Sequence, residues 1–138
     1  MTIQEKQQAL IDEFAIYDDW MDKYEYIIEL GKEVKGIADE AKTKEQLIEG
    51  CQSNVWLLCH LKDGKMFFEA DADAIITKGI IGMLLNVYNG ETPQTILKTE
   101  PHFINEIGLT EHLSPTRANG LLSMVKRIKT EALQSLNP

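Results

Sequence analysis

One short segment, Gly50-Cys51-Gln52-Ser53, has the residue types and spacing for chemistry. A glycine precedes a thiol, and the chain then runs directly into the apolar stretch Val55-Trp56-Leu57-Leu58. A cysteine inside a core strand is ordinarily a small hydrophobe. A cysteine at a glycine turn is set off the regular face of the strand. There a loop can present its sulfur to a partner while the strand behind holds it in place. We therefore read Cys51 as the reactive group, against the alternative of an inert buried thiol. The second cysteine, Cys59, lies within the apolar run and is read as structural.

Other uses of these thiols are poorly supported. An extended strand holds Cys51 and Cys59 beyond disulfide range. Cys59 and His60 are strand neighbours on opposite faces and cannot chelate together. There is no C-x-x-C, and His102 and His112 are isolated, so no zinc site and no other metal or cofactor site is expected.

The chain that positions this loop has 138 residues, enough for one domain, 1–138, with its own core. Hydrophobic residues make up 43%, ordinary for a globular protein. The net charge of -8, without an Arg/Lys cluster interleaved with aromatics, argues against nucleic acid and against an anionic membrane surface. The start, MTIQEKQQALIDEF, lacks the basic and apolar regions of a signal peptide. No apolar run approaches the ~20 residues of a membrane span. A cytoplasmic location, where thiols stay reduced, is expected.

Hydrophobic periodicity divides the chain into elements. Thr2 and Glu5 form a capping box before an amphipathic helix carrying Ile3, Leu10 and Phe14. A second helix is expected after Tyr17-Asp18-Asp19, with Trp20, Tyr24, Ile27, Ile28 and Gly31 as its stripe. Lys35 to Lys44 reads as a polar loop. Asp63-Gly64 is a type I′ hairpin signal between two β-rich runs. Counting back from it pairs Leu61 with Met66, Cys59 with Phe68, Leu57 with Ala70 and Val55 with Ala72 on an apolar face. His60 with Phe67, Leu58 with Glu69 and Trp56 with Asp71 fall on the other. This register puts Cys59 in the core. A short edge strand over Gln46 to Glu49 would leave Cys51 in a connection between strands.

Asp73 is read first as the N-cap of a helix through Ile76, Ile80, Leu84 and Val87. Gly79 and Gly82 inside that helix predict a close backbone approach, to the sheet. Asn89-Gly90 ends it, and Pro93 and Pro101 break the next stretch into short pieces. Ser114-Pro115 opens a last helix with Ala118, Leu121, Leu122, Val125 and Ile128 as its buried stripe. Lys126, Arg127 and Lys129 are expected near its C-terminal end, as a solvated basic face. Trp20 and Trp56 are read as packing residues. The order predicts an α+β fold, a small antiparallel β-sheet with helices packed against one face.

Three separated motifs, GCQSNVW, ADADAIITKGI and LSPTRANGL, resemble the SufE family of sulfur-acceptor proteins, and WMDKYEYIIELG is similar to that family's second helix. The likeness runs in order over nearly the whole chain. It departs at Ala72 and Thr116, where the family commonly has Ser, and neither position is expected to touch the thiol. The resemblance implies a fold similar to iron–sulfur cluster scaffold proteins. It implies a persulfide carrier that takes sulfur from a pyridoxal-phosphate-dependent cysteine desulfurase (SufS or CsdA type) onto Cys51. It further implies stimulation of that desulfurase and delivery to a downstream iron–sulfur scaffold complex, with no cofactor of the carrier's own. Asp73 and Arg117 match family positions near the loop or the partner surface.

The exchange needs a thiolate, and a free cysteine has a pKa of about 8.5. Glu49 opposes ionisation if near, and Arg117, in the first turn of the last helix, is the candidate favourable charge. Arg117 otherwise reads as a solvated residue, and Gln52 and Ser53 as satisfying loop backbone groups. Two further classes stay open: a metal-binding cluster scaffold, and a regulatory subunit acting by contact alone. Docking is expected around the Cys51 loop, with a basic patch on the partner. The oligomeric state stays open, a homodimer included.

Overall fold

In a computed structural model, which describes residues 1–137, seven α-helices accompany one β-hairpin. Helix α1 (Ile3–Ala15) begins with the Thr2/Glu5 capping box, both reciprocal bonds being formed. Helix α2 (Trp20–Lys32) is capped by Asp19, whose carboxylate accepts from the Asp22 N–H. The polar stretch after it holds a single 3-10 turn at Asp39–Ala41.

Strands β1 (Val55–Lys62) and β2 (Lys65–Ala72) pair antiparallel in the register counted from the turn. Asp63 and Gly64 both have positive φ, as a type I′ turn requires. Val55, Leu57, Met66, Phe68 and Ala70 face the core and are buried. That face runs out of cover towards the turn. Leu61 is exposed, and Cys59 is half-buried at the margin of the core instead of inside it. The hairpin is longer than the helical layer behind it, so alternation alone overestimates the burial of its tip.

The expected strand at Gln46–Glu49 is reduced to one bridge, Leu47 with Trp56. Leu57 N–H still donates to Gln46 O (2.9 Å) and Ile48 N–H to Val55 O (2.8 Å). The ladder stops at turns on either side: Gln46 N–H donates to Thr43 O (3.2 Å) and Leu47 N–H to Lys44 O (3.3 Å), and Gly50 has φ +90. Arg127 donates to the carbonyls of Leu47 (3.0 Å) and Glu45 (2.7 Å) while pairing with Glu131.

Helix α3 (Ile75–Tyr88) is the apolar centre of the molecule, with Ile80, Ile81, Met83, Leu84 and Val87 fully buried. Its N-cap is Ala74, not Asp73; the Asp73 carboxylate turns back to the thiol loop instead. The mid-helix glycines meet α2, not the sheet. A Cβ on Gly79 would collide with the Ile27 carbonyl, and one on Gly31 would lie 2.8 Å from Gly79 N. The β-hairpin covers another side of α3, so the two backbones that come together are helical.

Four further helices complete the fold: α4 (Pro93–Lys98), α5 (Phe103–Ile107), α6 (Leu109–His112) and α7 (Pro115–Leu136). Ser114 caps α7 by accepting from Arg117 N–H, with Pro115 at the first position. Leu121, Val125 and Ile128 are buried as the stripe requires, and Met124 joins them, but Leu122 is exposed. With no breaker before Asn137, α7 runs on to Leu136, so Lys126, Arg127 and Lys129 lie mid-helix. Two of them are staples: Arg127 on the Glu45 and Leu47 carbonyls, and Lys129 on those of Thr99 (2.9 Å) and Leu97 (3.4 Å). The result is α+β with helices against one face of a two-stranded antiparallel sheet. Among the described residues no helix is long and apolar enough to cross a membrane.

Candidate functional site

Cys51 sits in the turn that joins Ile48 to Val55, and α7 backs that turn. Gly50 has φ +90, and a Cβ there would run into the Ser123 hydroxyl, so the loop lies directly on the helix. One turn earlier, the Gly120 carbonyl accepts from the Cys51 Sγ at 3.6 Å. The sulfur packs on the helix at this point; a Cβ at Gly120 would lie 3.7 Å from Sγ, an ordinary van der Waals contact. One turn later, Arg127 fixes the approach to the loop through Glu45 and Leu47. Positions 120, 123 and 127 recur at helical spacing, so one face of α7 carries the loop.

The exit of the loop is fixed by Asp73. Asn54 N–H donates to the Asp73 carboxylate (3.0 Å), and Asp73 N–H donates to Asn54 O (3.1 Å). Ser53 does not satisfy the loop backbone; its hydroxyl is 3.1 Å from that of Thr77 on α3. Gln52 is exposed and, with Cys51 and Ser53, lines a cavity of about 250 Å³. Thr77, Ile80, Gly120 and Met124 form its walls, and Ser114, Thr116 and Arg117 its rim. Thr116, a position of departure from the family pattern, therefore borders the thiol's cavity after all.

Arg117 is exposed and is the one charged side chain lining the cavity among the described residues. Its Nη1 donates to the Tyr24 hydroxyl at 3.0 Å. Gly50, Cys51, Gln52, Ser53, Asp73 and Arg117 thus gather around one cavity and its loop. The sequence alone did not point to Gly120, Ser123, Arg127, Thr77 or Tyr24. The first three share a signal that could have found them, the three- and four-residue spacing continuing from Arg117. Thr77 carried no such signal.

Burial pushes the Cys51 thiol above the ordinary thiol value of 9.0, and pushes Cys59 up to about 11 with a further contribution from Glu131. A raised value means less thiolate at neutral pH. Alkylation of Cys51 in the free protein is accordingly expected to keep climbing through pH 9.0 without levelling, read by mass spectrometry of the modified peptide over a pH series. A plateau below that pH would contradict it. Cys59→Ala is expected to leave that profile unchanged.

The fold and site define a class: an α+β domain presenting one loop thiol at the mouth of a small cavity. The SufE family model, described as an Fe-S metabolism associated domain, matches residues 8–132. An uncharacterized SufE-like protein of Rhizobium meliloti is 41% identical over 128 residues, covering 89% of this chain and 91% of the relative. One of Rhizobium etli is 44% identical over 128 residues, covering 89% and 86%. The chain belongs to the SufE family, and its role lies in iron–sulfur metabolism. The solution structure of a hypothetical protein from Thermus thermophilus superposes with a TM-score of 0.79 at 20% identity, over 96% of this chain and 97% of that one, and shares its fold.

Proposed function

We propose that this protein, as one domain over 1–138, is a persulfide carrier for iron–sulfur cluster assembly. It accepts sulfur from a pyridoxal-phosphate-dependent cysteine desulfurase onto Cys51. The observation that supports this reading is the placement of Cys51: a thiol on a short loop, beside a cavity with room for one more sulfur and a cation on its rim. In the transfer, the Cys51 thiolate attacks the outer sulfur of the donor persulfide. A new S–S bond forms at Cys51, the donor S–S bond breaks, and its electron pair leaves on the donor thiolate. One proton passes, net, from the Cys51 thiol to the donor. The desulfurase, emptied of its persulfide, turns over again.

The resting thiol is sheltered and largely protonated, which suits a carrier that must not react with stray oxidants. Docking then has to expose it, and the short loop between fixed ends at Leu47 and Asn54 is the part that can move. A cluster scaffold would need three or four ligands converging on the loop. Among the described residues no group of three or more His, Cys, Asp or Glu side chains is placed to hold a metal ion.

The test is to mix the protein with a cysteine desulfurase and free cysteine and map the products by non-reducing mass spectrometry. One added sulfur on the Cys51 peptide and none on the Cys59 peptide is the expected result. No sulfur on either peptide, with desulfurase turnover still raised, would overturn the carrier reading in favour of a regulatory subunit.

A further inference from the structure

We propose that Tyr24 is a positioning residue for sulfur transfer, acting by holding the Arg117 guanidinium at the rim of the Cys51 cavity. This rests on the carrier reading of Cys51. Arg117 is exposed at the start of α7 and its long side chain has many rotamers. Left alone it would spend much of its time in solvent, away from the cavity. The Tyr24 hydroxyl, on α2, accepts from its Nη1 at 3.0 Å and selects the conformation that stays at the rim.

The acceptor is itself well placed. One turn before Tyr24, on the same face of α2, Trp20 stacks on His112 with ring centroids 4.4 Å apart and planes at 19°. His112 and Arg117 lie on either side of the Ser114-Pro115 cap, so α2 grips the junction of α6 and α7 at two points. At its other end α2 is locked on α3 through Gly31 and Gly79. The hydroxyl that receives Arg117 is therefore set by helix packing, not by a flexible loop.

A fixed cation matters here because negative charge appears in the cavity during transfer, first on the Cys51 thiolate and then on the terminal sulfur of its persulfide. The walls from α3, Thr77 and Ile80, carry no charge. Glu49 and Lys126 line the neighbouring groove beyond Gly50, on the other side of the loop. Arg117 is thus the one charged side chain lining the cavity among the described residues; burial sets the raised Cys51 value, and a cation kept at the rim is what can offset it.

The test uses single-turnover transfer from a persulfidated desulfurase, with Tyr24→Phe, Arg117→Gln and the double variant. Tyr24→Phe keeps the ring and removes only the acceptor. Transfer is expected to slow roughly fivefold, the kinetic equivalent of one hydrogen bond. The pH profile of Cys51 alkylation should shift upward with it, while affinity for the desulfurase stays the same. In the double variant Tyr24→Phe should add nothing to the loss from Arg117→Gln. Losses that multiply, or wild-type transfer in Tyr24→Phe, would overturn the proposal. Should Tyr24→Phe prove unstable, Arg117→Lys replaces it, since Lys keeps the charge without the planar fork; wild-type transfer there would equally overturn it. Failure of the carrier reading looks different: wild-type protein would then take no sulfur at Cys51.

Discussion

Cys51→Ser is expected to abolish sulfur acceptance and, with it, stimulation of the desulfurase, while leaving the fold intact. The replacement is close to isosteric, at a half-buried position whose one polar contact is the Gly120 carbonyl. A hydroxyl can keep that contact, so the cost in stability should stay near or below about 1 kcal/mol. Chemically the change is complete, because a serine hydroxyl does not ionise near neutral pH and does not open an S–S bond. No neighbour can take over. Cys59 lies at the margin of the core, with its thiol pushed up to about 11, and on a different element. Desulfurase turnover measured with excess cysteine, with and without the variant, is the direct readout. Stimulation that survives in Cys51→Ser would show that contact alone activates the desulfurase.

The parts of this molecule legible in its sequence are those fixed by short-range chemistry. The hairpin register followed from Asp63-Gly64, since two residues of positive φ leave one way for the strands to pair. The caps at Thr2 and Ser114 followed from side chains that bond the backbone three residues on. Asp73 shows where such reasoning stops. A carboxylate before a helix can cap it or bond elsewhere, and here Asn54, 19 residues away, takes it. Arg127 is a second case. A basic residue on a long helix reads as solvated until the carbonyls it meets are known, and those belong to a segment 80 residues earlier. The thiol stood out because a glycine turn is a local signal. Its surroundings did not, because Gly120, Thr77 and Tyr24 come from three helices brought together by packing.

The second large effect concerns that packing. Gly79→Ala is expected to destabilise the protein by about 3 kcal/mol, although alanine is the better helix former by about 1 kcal/mol. The position is buried in the middle of α3, and the atom an added methyl would meet is the Ile27 carbonyl oxygen. A side chain in that place could rotate aside; a helix backbone cannot. Relief requires α2 to move off α3, opening the contact made by Ile27, Leu30 and Gly31 on one side and Gly79 and Gly82 on the other. Gly31 faces Gly79 across the same crossing, so the two backbones have no slack to share the shift. Thermal unfolding should show a midpoint lower by on the order of 10 °C. Because α2 also carries Trp20 and Tyr24 to the start of α7, its displacement should reach the thiol loop well below that midpoint. Gly79→Ala is therefore expected to shift the pH profile of Cys51 alkylation at 25 °C upward, as expected for Tyr24→Phe. An unchanged melting temperature would mean that α2 and α3 can separate at little cost, and that the crossing does not hold the arm on which Tyr24 sits.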